Sequence, residues 1–167
     1  MTTERTEPPL QAGEREMLDA WLDFHRATLA QKCDGLTDEQ LRQRAAPPSS
    51  LSLLGLVRHM AEVERGWFRR GVAGESALPR YYSDDNEDGD FDDVDTADVA
   101  EAFAYWREEC QGARDIVAAV PSLDQTFGGR TRTYSVRWLM LHMIEEYARH
   151  NGHADLLRER IDGATGS

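Results

Sequence analysis

The chain has 167 residues, with 31 Asp and Glu against 19 Lys and Arg, giving a formal net charge of −12. Affinity for nucleic acid comes largely from Lys and Arg neutralising phosphates, so this charge argues against nucleic-acid partners and equally against anionic membranes. Hydrophobic residues make up 40% of the chain, enough for the core of one domain, and no apolar run is long enough to cross a bilayer.

The stretch from Met1 to Pro9 has no apolar segment of the signal-peptide kind, which gives the expectation of a cytoplasmic protein. A first helix is predicted over about Gly13–Asp34. Its apolar face carries Leu18, Trp21, Leu22 and Leu29, with His25 among them, and Gly35 is its stop. Thr37-Asp38-Glu39-Gln40 reads as a capping box that opens a short helix through Arg44. Pro47-Pro48 ends that segment and forces an extended link. A second long helix follows the serines at 49, 50 and 52 and runs to about Gly71, with Leu56, Val63 and Trp67 on the face of His59. Gly71, Gly74 and Pro79 break the pattern.

Residues 75–95 are predicted as a loop, strongly acidic from Asp84 onward. Part of it fits an EF-hand: Asp84, Asn86 and Asp88 take the first ligand positions, Gly89 the turn and Asp95 the last. The last position calls for glutamate, Pro79 spoils the entering helix, and there is no second copy to pair with. A solvated acidic loop is the better reading, with calcium as the alternative. A third helix opens near Asp95 or Thr96 and runs through Phe103, Trp106 and Val117 to about Val120, where Pro121 closes it. Residues 121–134, with Gly128-Gly129, read as a turn or short hairpin. The fourth helix opens at about Ser135, continues to Arg160 and stops at Asp162-Gly163. The fold class is all-α: an antiparallel four-helix bundle with a crossover loop, in one domain over 1–167, with loose termini at about 1–10 and 163–167.

Cys33 and Cys110 sit far apart and in no CxxC pattern, as two reduced thiols would. Lys32 is the only lysine, and Ala, Gly, Asp and Glu are plentiful, a usage that GC-rich codons favour.

Three of the five histidines, His142, His150 and His153, fall in the predicted fourth helix with Glu146. At about 100° per residue these four positions span roughly an 80° arc. Trp138, Leu139, Leu156 and Leu157 flank or overlap that arc, so it faces the core. An unpaired carboxylate there is costly, and a cation would give Glu146 its reason. Glu146 and His150 are neighbours on one face. A third ligand must come from another helix, and His59 on the apolar face of the second helix is the best candidate. Two histidines and a carboxylate leave a position open, which is the catalytic type of zinc site; nickel or iron would also fit the set. Core histidines bonded to one another or to backbone are the alternative that periodicity leaves open. Gly152, inside the helix, reads as a point where a neighbouring helix comes close.

The segments Leu53-Leu54-Gly55-Leu56-Val57-Arg58-His59-Met60-Ala61-Glu62-Val63-Glu64-Arg65-Gly66-Trp67-Phe68 and Arg137-Trp138 through Arg149-His150-Asn151-Gly152-His153-Ala154-Asp155-Leu156-Leu157-Arg158 resemble the second and fourth helices of the DinB-like superfamily. The likeness spans almost the whole chain and is closest to the mycothiol-transferase branch, which includes mycothiol-dependent maleylpyruvate isomerase. That resemblance implies a four-helix bundle, a homodimer, and a metal held by His59, Glu146 and His150. It implies a zinc-dependent thiol S-transferase that joins mycothiol to an electrophile, with a small-molecule thiol and electrophile as its partners. GC-rich codon usage fits the lineages that make this thiol. His142 and His153 are candidates to orient the ligands or carry protons. Isomerase activity is not carried over, because that enzyme has a further C-terminal domain and this sequence ends just after the fourth helix. The alternatives are a non-catalytic bundle that binds a metal or small molecule, and a DNA-related role suggested by the superfamily name, which the charge opposes.

Overall fold

The computed structural model describes residues 4–128 and 130–166. The outermost parts of the loose-terminus expectation, and Gly129 of the predicted turn, lie outside the described residues. The fold is all-α with one small hairpin. In chain order it has α1 (Glu14–Cys33), α2 (Asp38–Arg42), α3 (Leu53–Glu64) with a π-helical continuation (Arg65–Val72), α4 (Gly89–Asp92), α5 (Val99–Ala119), β1 (Thr126–Gly128), β2 (Thr133–Ser135) and α6 (Val136–Asp162). These fall into two compact units, one of the residues up to Leu56 with those from Met140 on, the other Val57–Leu139.

In the first unit α1 buries Leu18, Leu22, Leu29 and Cys33 along one stripe. Trp21 and Leu156, placed by periodicity with the core, are 41% and 61% exposed. The Thr37–Gln40 capping box forms as the sequence specifies, with reciprocal bonds of 3.2 and 2.9 Å. Ser52 opens α3 by accepting the Gly55 N–H at 3.0 Å. Asn151 on α6 donates to the His25 carbonyl at 3.0 Å, and Arg158 donates to the carbonyls of Lys32 and Asp34 at 3.1 and 2.8 Å. Arg158 therefore satisfies carbonyls left open at the end of α1. Both sets of partners advance along the chain together, so α1 and this part of α6 run in the same direction.

In the second unit the end of α3 passes into eight residues of π-helix. Such segments are rare and frequent at functional sites. The segment packs on α5 through an ion-pair cluster: Arg65 and Arg69 reach Glu109, 1% exposed, at 2.8 and 2.6 Å. α5 starts later than predicted. Asp98, rather than Asp95 or Thr96, caps it by accepting the Glu101 N–H at 2.9 Å. The hairpin pairs Phe127 with Tyr134. Trp67 meets Tyr134 and Phe127 edge-on at 5.4 and 6.4 Å, and Trp138 lies 5.6 Å away and is 42% exposed.

The acidic loop is not unstructured. It contains α4, whose first residue, Gly89, lies where an added Cβ would run into the Tyr81 carbonyl. Gly89 does not have a positive φ, so its need is space, not the sharp turn an EF-hand requires. Gly152 is also unlike its expected role: a Cβ there would meet nothing within 4 Å.

Candidate metal centre

His59 sits on α3 in the second unit, with its side chain 26% exposed. Its Nδ1 lies 2.7 Å from Oδ2 of Asp90 in α4. Asp90 is nearly buried, and its other oxygen accepts the Phe91 N–H at 3.1 Å. Arg58, the residue before His59, holds the same turn by donating to the carbonyls of Asp90 and Gly89 at 3.0 and 2.9 Å. The Phe91 ring lies 5.2 Å from the imidazole. An ionised carboxylate accepts and cannot donate, so it pairs with a proton on Nδ1, and in the neutral imidazole the lone pair is then on Nε2. This is the carboxylate–histidine arrangement that orients histidines at metal sites. Asp90 falls inside the acidic stretch whose sequence reads as a solvated loop, and nothing local marks it as a partner for His59.

On α6 in the first unit, Oε2 of Glu146 lies 3.4 Å from Nε2 of His150. The one-turn spacing places the two side chains on one face, as predicted. Glu146 already has a cation beside it, contrary to the expectation of an unpaired carboxylate: one Arg149 nitrogen donates to both its oxygens at 2.8 and 2.7 Å. The sequence signal for that pair was present in the i, i+3 spacing. His153 approaches His150 with 3.3 Å between their Nδ1 atoms. His142 lies 3.4 Å from Glu145 and 3.9 Å from Glu146. His25 stands apart from this group, beside Asn151, and burial with Arg5 nearby holds its pKa below the usual histidine value.

His59, Glu146 and His150 each offer one ligand atom, and these atoms lie within 4.8 Å of one another. Among the described residues, no other three His, Cys, Asp or Glu side chains form such a group, the acidic loop included. Two imidazoles and a carboxylate are a donor set that suits zinc, nickel or iron, and with three ligands it leaves coordination open for an exogenous molecule.

A cleft of about 370 Å³ opens beside His59, lined by Glu62, Val63, Gly66, Trp67, Arg70 and Tyr82. The chain's own thiols do not serve it. Cys33 is buried, and burial pushes its pKa up to about 12, so it holds no thiolate at neutral pH. Cys110 is buried against Glu64 at 3.6 Å.

Residues 17–163 match the family described as Mycothiol-S-transferase. No curated protein matches the chain.

Proposed function

We propose, from the premise that the chain belongs to the mycothiol S-transferase family, that it is a metal-dependent thiol S-transferase joining mycothiol to an electrophile. In this reading His59, Glu146 and His150 hold one divalent ion, zinc. The observation that carries it is the closeness of their three ligand atoms, within 4.8 Å. The Asp90 bond adds support, since a carboxylate on Nδ1 is the arrangement that orients histidine ligands at metal sites. A divalent ion there supplies positive charge that favours the thiolate form of a bound thiol, which is the nucleophile.

The chain's residues do the rest. Glu146, with Arg149 alongside, offsets part of the ion's charge. His153 and His142, beside the ligands, fix their orientation or take up the thiol proton. The nucleophile must come from outside, because Cys33 and Cys110 are both buried. The same reading includes a single-domain four-helix bundle, a homodimer, a cytoplasmic location and no nucleic-acid partner. No helix among the described residues is long and apolar enough to cross a membrane.

The test is zinc titration into the apo protein and its variants, followed by conjugation of mycothiol to a model electrophile. His59→Ala, His150→Ala and Glu146→Gln should each lose most of the zinc affinity, and His25→Ala should keep it. Full stoichiometric zinc at unchanged affinity in His59→Ala and Glu146→Gln would show the site to be misassigned. If the ligands hold but no thiol reacts or changes the spectrum of a cobalt-substituted site, the protein is a non-catalytic metal-binding module.

A further inference from the structure

We infer that Arg70 and Tyr82 form an oxyanion-binding pair in the cleft beside His59, which selects electrophiles whose oxygen gathers negative charge as sulfur bonds to carbon: epoxides and α,β-unsaturated carbonyl compounds. The reaction rests on the thiol-transfer reading; the pair itself rests on the cleft.

One wall of the cleft is a single helical stripe. His59, Glu62, Val63, Gly66, Trp67 and Arg70 recur at spacings of three and one along α3 and its π-helical continuation. Tyr82 comes from the loop that follows and is brought there by Glu62. One Glu62 oxygen accepts the backbone N–H groups of Arg80 and Tyr81 at 2.6 and 2.9 Å, which ties the loop to the helix one residue before Tyr82. One Glu62 oxygen is thus engaged in holding the loop, the other is buried without a hydrogen-bond partner among the described residues, and the residue is only 4% exposed.

Arg70 donates to the Tyr82 hydroxyl oxygen at 3.0 Å and to the Ala77 carbonyl at 3.2 Å. Its position depends on the glycine one turn earlier: a Cβ at Gly66 would come within 2.8 Å of the guanidinium. A guanidinium has five N–H donors and no acceptor. Two of the five are used in these bonds. The Tyr82 oxygen receives from Arg70 and cannot give its proton back to it. The tyrosine proton and the remaining guanidinium protons are therefore open to a third group, solvent or a ligand in the cleft. Trp67, held edge-on by Tyr134 and Phe127, provides a flat apolar wall for the carbon part of a ligand.

In the step this supports, the thiolate sulfur forms a bond to carbon. In an epoxide the carbon–oxygen bond breaks and its electron pair goes to oxygen. In an enone the π electrons move through the chain to the carbonyl oxygen. The oxygen takes the Tyr82 proton, Arg70 stays protonated beside the resulting phenolate, and solvent returns a proton to Tyr82. Donors set in advance where charge develops are worth roughly 100- to 1000-fold in rate for each one removed.

The test has two readouts on the full zinc-loaded chain, with folding of each variant checked by circular dichroism. Benzoate, an oxyanion with a flat apolar half, is titrated by calorimetry into the wild type, Arg70→Met, Gly66→Ala and Tyr82→Phe. Binding should weaken about tenfold in the two variants that remove or displace the guanidinium, and less in Tyr82→Phe. Conjugation of mycothiol to styrene oxide is then compared with conjugation to benzyl chloride, whose charge leaves on chloride. The ratio of the two rates should fall about 100-fold in Tyr82→Phe. Benzoate that does not bind the wild type, or binds all three variants equally, overturns the pair. An unchanged rate ratio in Tyr82→Phe overturns its role in the reaction. Benzoate binding that depends on the pair, with neither electrophile conjugated, upholds the pair and overturns thiol transfer.

Discussion

At His59 the nitrogen that can face a metal is decided by a residue 31 positions away. Asp90 Oδ2 holds Nδ1 at 2.7 Å, and Arg58 holds the Asp90 carbonyl at 3.0 Å. The histidine is therefore fixed in ring orientation and in tautomer. Loss of such a partner commonly weakens metal affinity by about 10- to 100-fold. Asp90→Asn keeps the size and removes the charge, so zinc affinity measured by competition with a chelating dye should fall within that range while the helical spectrum stays unchanged. Unaltered affinity would make the Asp90 bond merely structural. The ligand candidates themselves were legible in the sequence, because a helical period sorts His142, Glu146, His150 and His153 onto one arc. Their partners were less so. Asp90 sits in a run of acidic residues with nothing local to distinguish it, and only the fold brings it against His59. Arg149 is the converse case: its i, i+3 spacing to Glu146 is a local signal for an ion pair, and the pair forms.

Elements with strong local signals were readable to within a few residues. The capping box at Thr37, the stop at Gly35 with its φ of 76°, and the long apolar periods of α1 and α6 all follow from nearby residues. The π-helical stretch was not readable, since shifting the backbone bond by one residue leaves no side-chain signature. α4 has only four residues and depends on Gly89 fitting against the Tyr81 carbonyl. The cap of α5 is not Asp95 or Thr96, as the sequence suggests, but Asp98, an equally competent residue two positions after Thr96. Gly152 was read as a contact point, yet it faces open space within α6. Glycine in a helix interior is less favourable than alanine by about 0.8–1.0 kcal/mol. Gly152→Ala should therefore raise stability by about that amount in urea denaturation, with an unchanged m-value. Destabilisation instead would reveal a contact at this position.

For the molecule as a whole, a charge of −12 attracts small cations and repels polyanions, an effect that weakens with salt. Zinc adds something more specific if it binds the folded chain alone: the linkage term RT ln(1 + [L]/Kd). At a free concentration about 100 times Kd this is about 2.7 kcal/mol. For a chain of this length each kcal/mol moves the thermal midpoint by about 2–4 °C, so the midpoint should rise by about 5–11 °C. EDTA should reverse the rise. General charge attraction and a built site give different outcomes. Magnesium has the same charge but prefers oxygen ligands and keeps its water, so it should do little at the same concentration. His59→Ala, which leaves the net charge near −12, should abolish the zinc shift, while His25→Ala should retain it whatever its own midpoint. A magnesium shift equal to that of zinc, or a zinc shift that survives His59→Ala, would mean that the cation acts on the acidic surface and not at the histidine–glutamate centre.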